Sequence, residues 1–87
     1  MVMEHIEIGT REFMALAGEG RHPGTTQILR HFAWAHLPEH LRPTSHNVAN
    51  LALHMVVKLP DGPELTAGLR KLLEAKDCFV RAAIDAE

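Results

Sequence analysis

The sequence predicts an all-α protein built on an antiparallel hairpin of two helices, residues 45–59 and 63–86. In both segments, apolar residues recur at spacings of three and four, as on the buried face of a helix. Between them, Pro60 cannot continue a helix, whereas Pro63 suits the first turn of a new one. The apolar positions are Val48, Leu51, Ala52, Met55, Val56 and Leu59 in the first segment, and Leu65, Leu69, Leu72, Leu73, Phe79, Val80 and Ile84 in the second.

The second predicted helix carries apolar residues on more than one flank, and one neighbouring helix cannot cover all of them. The chain has 87 residues, which corresponds to one small domain that buries little more than ~60% of its unfolded surface. We therefore expect a homo-oligomer formed by packing of one hairpin against another. A monomer in which the N-terminal third wraps the hairpin stays open as the alternative.

The remainder of the chain divides into an arm, residues 1–21, and a segment of turns and short helix, residues 22–44. In the arm, imperfect alternation over residues 4–8 allows a short strand, and Thr10 can cap a helix over residues 11–17 that ends at Gly18.

In the segment 22–44, Thr25 or Thr26 can cap a helix that carries Ile28, Leu29 and Phe32. Pro38 and Pro43 leave room for one short turn at residues 39–42. Thr44 or Ser45 is then expected to cap the first helix of the hairpin.

Composition narrows the classes of function. Cys78 is the single cysteine, so no intrachain disulfide is possible, and we expect an intracellular protein. The sequence has no run of ~18 apolar residues, so it predicts no membrane-spanning helix. The formal net charge of −2 is wrong for a protein that coats duplex nucleic acid, although a local basic pocket for a small anion stays possible.

Histidine is abundant, with seven residues, but no pattern predicts catalysis or a metal site. His36, Glu39 and His40 fit the H-x-x-E-H pattern of a zinc peptidase family, yet Pro38 interrupts the helix which that motif requires. The glycine-rich and serine motifs of nucleotide enzymes and hydrolases are absent. We therefore expect a protein that is not an enzyme and that has no cofactor and no metal.

A cluster suited to binding a nucleotide lies before and within the start of the first hairpin helix. Phe32 and Trp34 offer flat surfaces that could stack on a base. Donors suited to phosphate oxygens surround them in sequence. These donors are Arg30, Arg42, Thr44, Ser45 and His46. The alternative is that both aromatic residues belong to the core.

Several runs of residues 22–84 resemble the helical-hairpin domain of phage anti-defence sponges, the anti-CBASS and anti-Thoeris sponge family. The runs are HPGTTQI at 22–28, HFAWAHLP at 31–38, Leu51-Ala52, and LPDGPELTAGLRKLLEAKD at 59–77. Trp34, before His36-Leu37-Pro38, matches the family's base-stacking aromatic with one residue inserted. The family has His-Pro-Pro at that turn.

The resemblance implies a ring-like homohexamer in the cytoplasm of an infected bacterium. Such a ring would sequester cyclic di- or tri-nucleotide immune signals without hydrolysing them. The expected ligand-binding residues are Trp34, His36, Arg42, Thr44, Ser45 and His46. The alternative function is a non-catalytic structural or protein-binding phage component that uses the same helical oligomer.

Overall fold

The computed structural model describes residues 6–87 and confirms the all-helical class. Four α-helices and two 3-10 turns account for its regular structure, and residues 6–87 contain no strand. None of these helices is long and apolar enough to cross a membrane. The helices are α1 (Arg11–Ala17), α2 (Pro23–Leu29), α3 (Arg42–Lys58) and α4 (Pro63–Asp85), and the 3-10 turns are Arg30–Phe32 and Glu39–Leu41.

Helix α1 begins and ends as predicted. The Thr10 side chain accepts a hydrogen bond from the backbone N–H of Phe13, so it caps the helix, and Gly18 follows the last turn. The strand that residues 4–8 allowed is not formed by residues 6–8, and residues 4 and 5 lie outside the described part of the chain.

The predicted caps of α2 and α3 are wrong, and for the same reason. Helix α2 begins at Pro23, and the imidazole Nδ1 of His22 caps it by accepting from Gly24 N–H at 3.0 Å, so neither threonine is the cap. Helix α3 begins at Arg42 with Pro43 in its first turn and has no side-chain cap. Both prolines lie where a helix needs no backbone N–H, so they start helices instead of ending the preceding segment.

Helices α3 and α4 follow each other through residues 59–62 and pack together. Pro63 opens α4, as the sequence predicted. Small residues of α3 face the interior: Ala49, Ala52 and Val56 are buried together with Leu65 and Leu69 of α4.

The core joins all four helices through the first 3-10 turn. Met14, Leu29 and Phe32 are fully buried there, from α1, α2 and the 3-10 turn respectively. Phe32 is therefore a core residue and offers no surface for stacking a base. Its burial also fixes the start of residues 33–37, the segment that carries Trp34 and His36.

Several large apolar residues of α3, α4 and the segment between them are exposed. Phe79 is 53% exposed, and Leu51 and Leu59 are also exposed. A cleft of about 530 Å³ with mainly apolar walls lies between the two helices, and Leu51, Met55 and Leu59 line it with α4 residues. Leu51 and Leu59 were predicted to lie on the buried stripe of the first hairpin helix, but both are exposed at this cleft, and Leu59 follows the last residue of α3.

A polar network fastens the start of α2 to the junction between α3 and α4. Arg21 Nε lies 3.1 Å from Asp61 Oδ1, and the same guanidinium donates to the carbonyls of Val56 and Leu59. The backbone N–H of His22 donates to Asp61 Oδ2 at 3.1 Å. The hydrogen bond from Arg21 is the main reason that the pKa of Asp61 is lowered from its ordinary value of 3.8.

Candidate ligand-binding site

Trp34 is half-buried and is held through both its backbone and its ring. Its N–H donates to the carbonyl of Gly9 at 2.8 Å, and the N–H of Ala35 donates to the same oxygen at 3.0 Å. Gly9 has a φ of +87°, a conformation that L side chains rarely adopt, and a Cβ there would lie 2.4 Å from Trp34 Cε2. The indole therefore packs directly on the backbone of Gly9.

His46 stacks on Trp34. The ring centroids lie 4.2 Å apart, and the ring planes make an angle of 28°. His46 comes from the second turn of α3, twelve residues along the chain from Trp34, so the stack is a tertiary contact. Two of the residues predicted to bind a ligand are thus brought together, and the imidazole covers one face of the indole.

The first turn of α3 places three more of the predicted residues near this stack. Arg42 Nε donates to the carbonyl of Leu37 at 2.9 Å, which ties the helix start to the segment that carries Trp34. Thr44 is half-buried. Ser45 is fully buried, and its hydroxyl has no hydrogen-bond partner among the described residues.

His36, the sixth predicted residue, lies elsewhere. It lines a cleft of about 380 Å³ whose walls include neither Trp34 nor His46. We call this cavity the basic cleft, because three arginines and one lysine line it. The lining residues are Arg11, Arg30, His31, Ala33, His36, Leu37, Lys76, Asp77, Val80 and Arg81.

The basic cleft is only weakly neutralised by its own residues. Asp77 is the one carboxylate among the described residues that line it, and it lies 2.8 Å from the ammonium of Lys76. Lys76 is largely covered, with 13% of its side chain exposed. The Arg81 guanidinium donates a hydrogen bond to the Cys78 sulfur at 3.3 Å, and no ion pair joins it to a carboxylate of the described residues. The cleft therefore carries a clear excess of positive charge.

The zinc-peptidase spacing does not bring its histidines together. His36 lines the basic cleft, whereas His40 Nε2 lies 2.7 Å from Glu87 Oε2 at the end of the chain. Within residues 6–87, no group of three or more histidine, cysteine or acidic side chains could hold a metal ion.

Sequence reasoning missed two parts of these sites. It attached no role to Gly9, although a glycine before the Thr10 cap is a local sign of a turn. It also assigned no site to Lys76, Asp77 and Arg81, because their meeting with Arg11 and Arg30 depends on tertiary packing.

Comparison with known proteins gives no match for this chain, since no family model, no curated protein and no solved structure is significantly similar to it.

Proposed function

We propose that this protein is a phage anti-defence sponge that binds cyclic di- or tri-nucleotide immune signals and sequesters them without hydrolysis. The observation that supports this function is the stack of His46 on Trp34. In the structure this indole face carries the imidazole of His46, a planar ring whose place a nucleobase could take. The resemblance to the sponge family suggests which planar ligand would take that position.

In the proposed complex, a nucleobase replaces His46 on the indole. A base has a larger π-surface than an imidazole, and a stack between a base and an aromatic side chain contributes ~1–3 kcal/mol, compared with ~0.5–1.5 kcal/mol for a pair of aromatic side chains. The stack on the indole is therefore stronger with a nucleobase than with the imidazole of His46. His46, once displaced, remains on α3 and can turn its ring N–H toward a phosphate.

The phosphates are assigned to the first turn of α3. A guanidinium has five N–H donors, and Arg42 uses its Nε donor on the Leu37 carbonyl, so the terminal nitrogens are left for a phosphate. Thr44 supplies a hydroxyl beside it. Ser45 can contribute only if the turn opens on binding, since its hydroxyl is buried.

We further propose that the sponge is a homo-oligomer, a hexameric ring according to the resemblance. Exposed large apolar residues on α3 and α4, such as Leu51 and Phe79, support assembly. A second copy of the hairpin would bury them. A symmetric assembly would also repeat the Trp34 site, which suits ligands with two or three equivalent bases.

The test is binding of a panel of cyclic di- and tri-nucleotides by calorimetry, with recovery of the ligand afterwards. Trp34→Ala should weaken binding by roughly ten- to a hundredfold for each stacked base. Trp34→Phe is the matched control, because it keeps an aromatic face and should retain most of the affinity. Hydrolysed ligand would contradict the sponge, and unchanged affinity in an assembled Trp34→Ala variant would contradict the site.

The apolar cleft between α3 and α4 favours one other candidate function, a structural phage component that binds a protein partner. In that case the cleft binds an amphipathic helix of the partner, and Trp34 contributes only to the packing of the fold. The nucleotide panel separates the two functions. Binding of none of its members at millimolar concentration favours the protein-binding component.

A further inference from the structure

The strongest concentration of positive charge in the protein lies in the basic cleft. Of the nine lysine and arginine residues in the chain, four line this one cavity, although the formal net charge of the protein is −2. Two histidines, His31 and His36, lie in the same walls. Such a local excess does not follow from overall composition, so it requires its own explanation.

The cleft is a product of the tertiary fold. Arg11 comes from α1, Arg30 from the first 3-10 turn, and Lys76 and Arg81 from successive turns of α4. Gathering like charges around one cavity raises their mutual repulsion, and partial burial of Lys76 increases that cost. A bound anion would offset this repulsion, because each cation would then attract the ligand.

The walls indicate which anion fits. Among the described residues that line the cleft there is no phenylalanine, tyrosine or tryptophan, and its apolar members are the aliphatic Ala33, Leu37 and Val80. The only rings that a nucleobase could stack on here are the small imidazoles of His31 and His36, so the cationic side chains dominate the chemistry of the walls. A guanidinium, in contrast, matches the geometry of phosphate oxygens, and two or three cations balance a chain of linked phosphates better than a single phosphodiester charge.

We propose that the basic cleft is a binding site for a polyphosphate chain, such as inorganic tripolyphosphate or the triphosphate of a nucleotide. Arg30 and Arg81 hold the phosphate oxygens with their guanidinium groups, and Lys76 supplies a fixed charge beside them. The cleft is formed within one protomer and does not include Trp34. The site is therefore independent of the proposed binding of cyclic nucleotides, and each can fail without the other.

The experiment measures the dissociation constants of tripolyphosphate, ATP and dimethyl phosphate by calorimetry at low salt. Tripolyphosphate and ATP should bind with similar affinity, and dimethyl phosphate at least tenfold more weakly. Arg30→Gln and Arg81→Gln should each weaken tripolyphosphate binding by about tenfold. Arg70→Gln is the matched control, because it removes the same charge from α4 outside the cleft.

A variant that binds tripolyphosphate more tightly cannot be explained by a failure to fold, so it tests the site independently of the two arginine variants. Asp77→Asn removes the carboxylate of the cleft and should tighten tripolyphosphate binding severalfold, with circular dichroism verifying the helical content. Equal weakening by Arg70→Gln and Arg30→Gln would overturn the site, because it would mean that only net charge matters. Binding of ATP without binding of tripolyphosphate would overturn the ligand class. The absence of binding for both at millimolar concentration would overturn the proposal.

Discussion

Replacement of Gly9 by alanine tests the packing that holds Trp34 in place. Two separate costs are expected. A residue with a Cβ at a φ of +87° costs about 1–2 kcal/mol in backbone strain. The added Cβ would also lie 2.4 Å from Trp34 Cε2, whereas carbon atoms in contact prefer about 3.5–4.0 Å, so the indole must move by about 1 Å. Overpacking of this kind costs typically ~1–3 kcal/mol.

Gly20→Ala is the matched control for this prediction. Gly20 has nearly the same φ, +85°, but no atom lies within 4 Å of the position that its Cβ would take. It therefore carries the backbone cost alone. We expect Gly9→Ala to lower the free energy of unfolding by about 2–5 kcal/mol, and Gly20→Ala by about 1–2 kcal/mol.

The assay is urea unfolding followed by circular dichroism and by the fluorescence of Trp34, the single tryptophan of the chain. Gly9→Ala should also change the native emission spectrum, because displacement of the indole disturbs its stack on His46. Equal destabilisation by both variants, with an unchanged emission spectrum, would refute the packing of Trp34 on Gly9.

Four other outcomes are expected from the same unfolding assay. Ser45→Ala should raise the free energy of unfolding by about 1 kcal/mol, because it removes a buried hydroxyl that has no partner among the described residues. Thr25→Val should lower it by a similar amount, because the Thr25 hydroxyl donates a hydrogen bond to Asp61 at 3.3 Å. Because the pKa of Asp61 is lowered in the folded protein, the unfolded chain protonates this carboxylate more readily. The stability that the carboxylate contributes to the fold is therefore present above its ordinary pKa of 3.8 and is lost as the pH falls further. The loss of stability in acid should be shallower in Asp61→Asn than in the wild type. Leu69→Asp should abolish cooperative folding, because it places a carboxylate at a position that is 2% exposed; a stable, helical variant would show that this core assignment is wrong.

Local signals in the sequence were sufficient where neighbours along the chain decide the structure. The cap of Thr10 on α1 and the opening of α4 at Pro63 are both contacts within one turn, and both were predicted correctly. Pro23 and Pro43 show the limit of such signals. A proline can end one segment or occupy the first turn of the next, and the residues nearby do not decide between these outcomes.

The arrangement of the candidate site depends on tertiary contacts, which a local sequence pattern does not predict. Trp34 was predicted as a binding residue and Phe32 as its possible companion, but the fold buries Phe32 completely and leaves Trp34 half-buried. Two aromatic residues separated by one position cannot be distinguished by composition, because the packing of α1 and α3 around them decides which is covered. Likewise, only the folded chain brings Arg11 beside Arg81.

Residues 33–37 connect the two candidate sites, since Trp34 belongs to one and His36 to the other. Within this segment one turn hydrogen bond runs from Leu37 N–H to the Trp34 carbonyl at 3.1 Å. The segment is fixed from one direction by the Gly9 carbonyl, which accepts two backbone N–H groups, and from the other by Arg42, which donates to the Leu37 carbonyl. Precise placement of side chains requires such external hydrogen bonds when the backbone is irregular. Gly9 and Arg42 therefore act as positioning residues for both sites, even though neither lines the basic cleft.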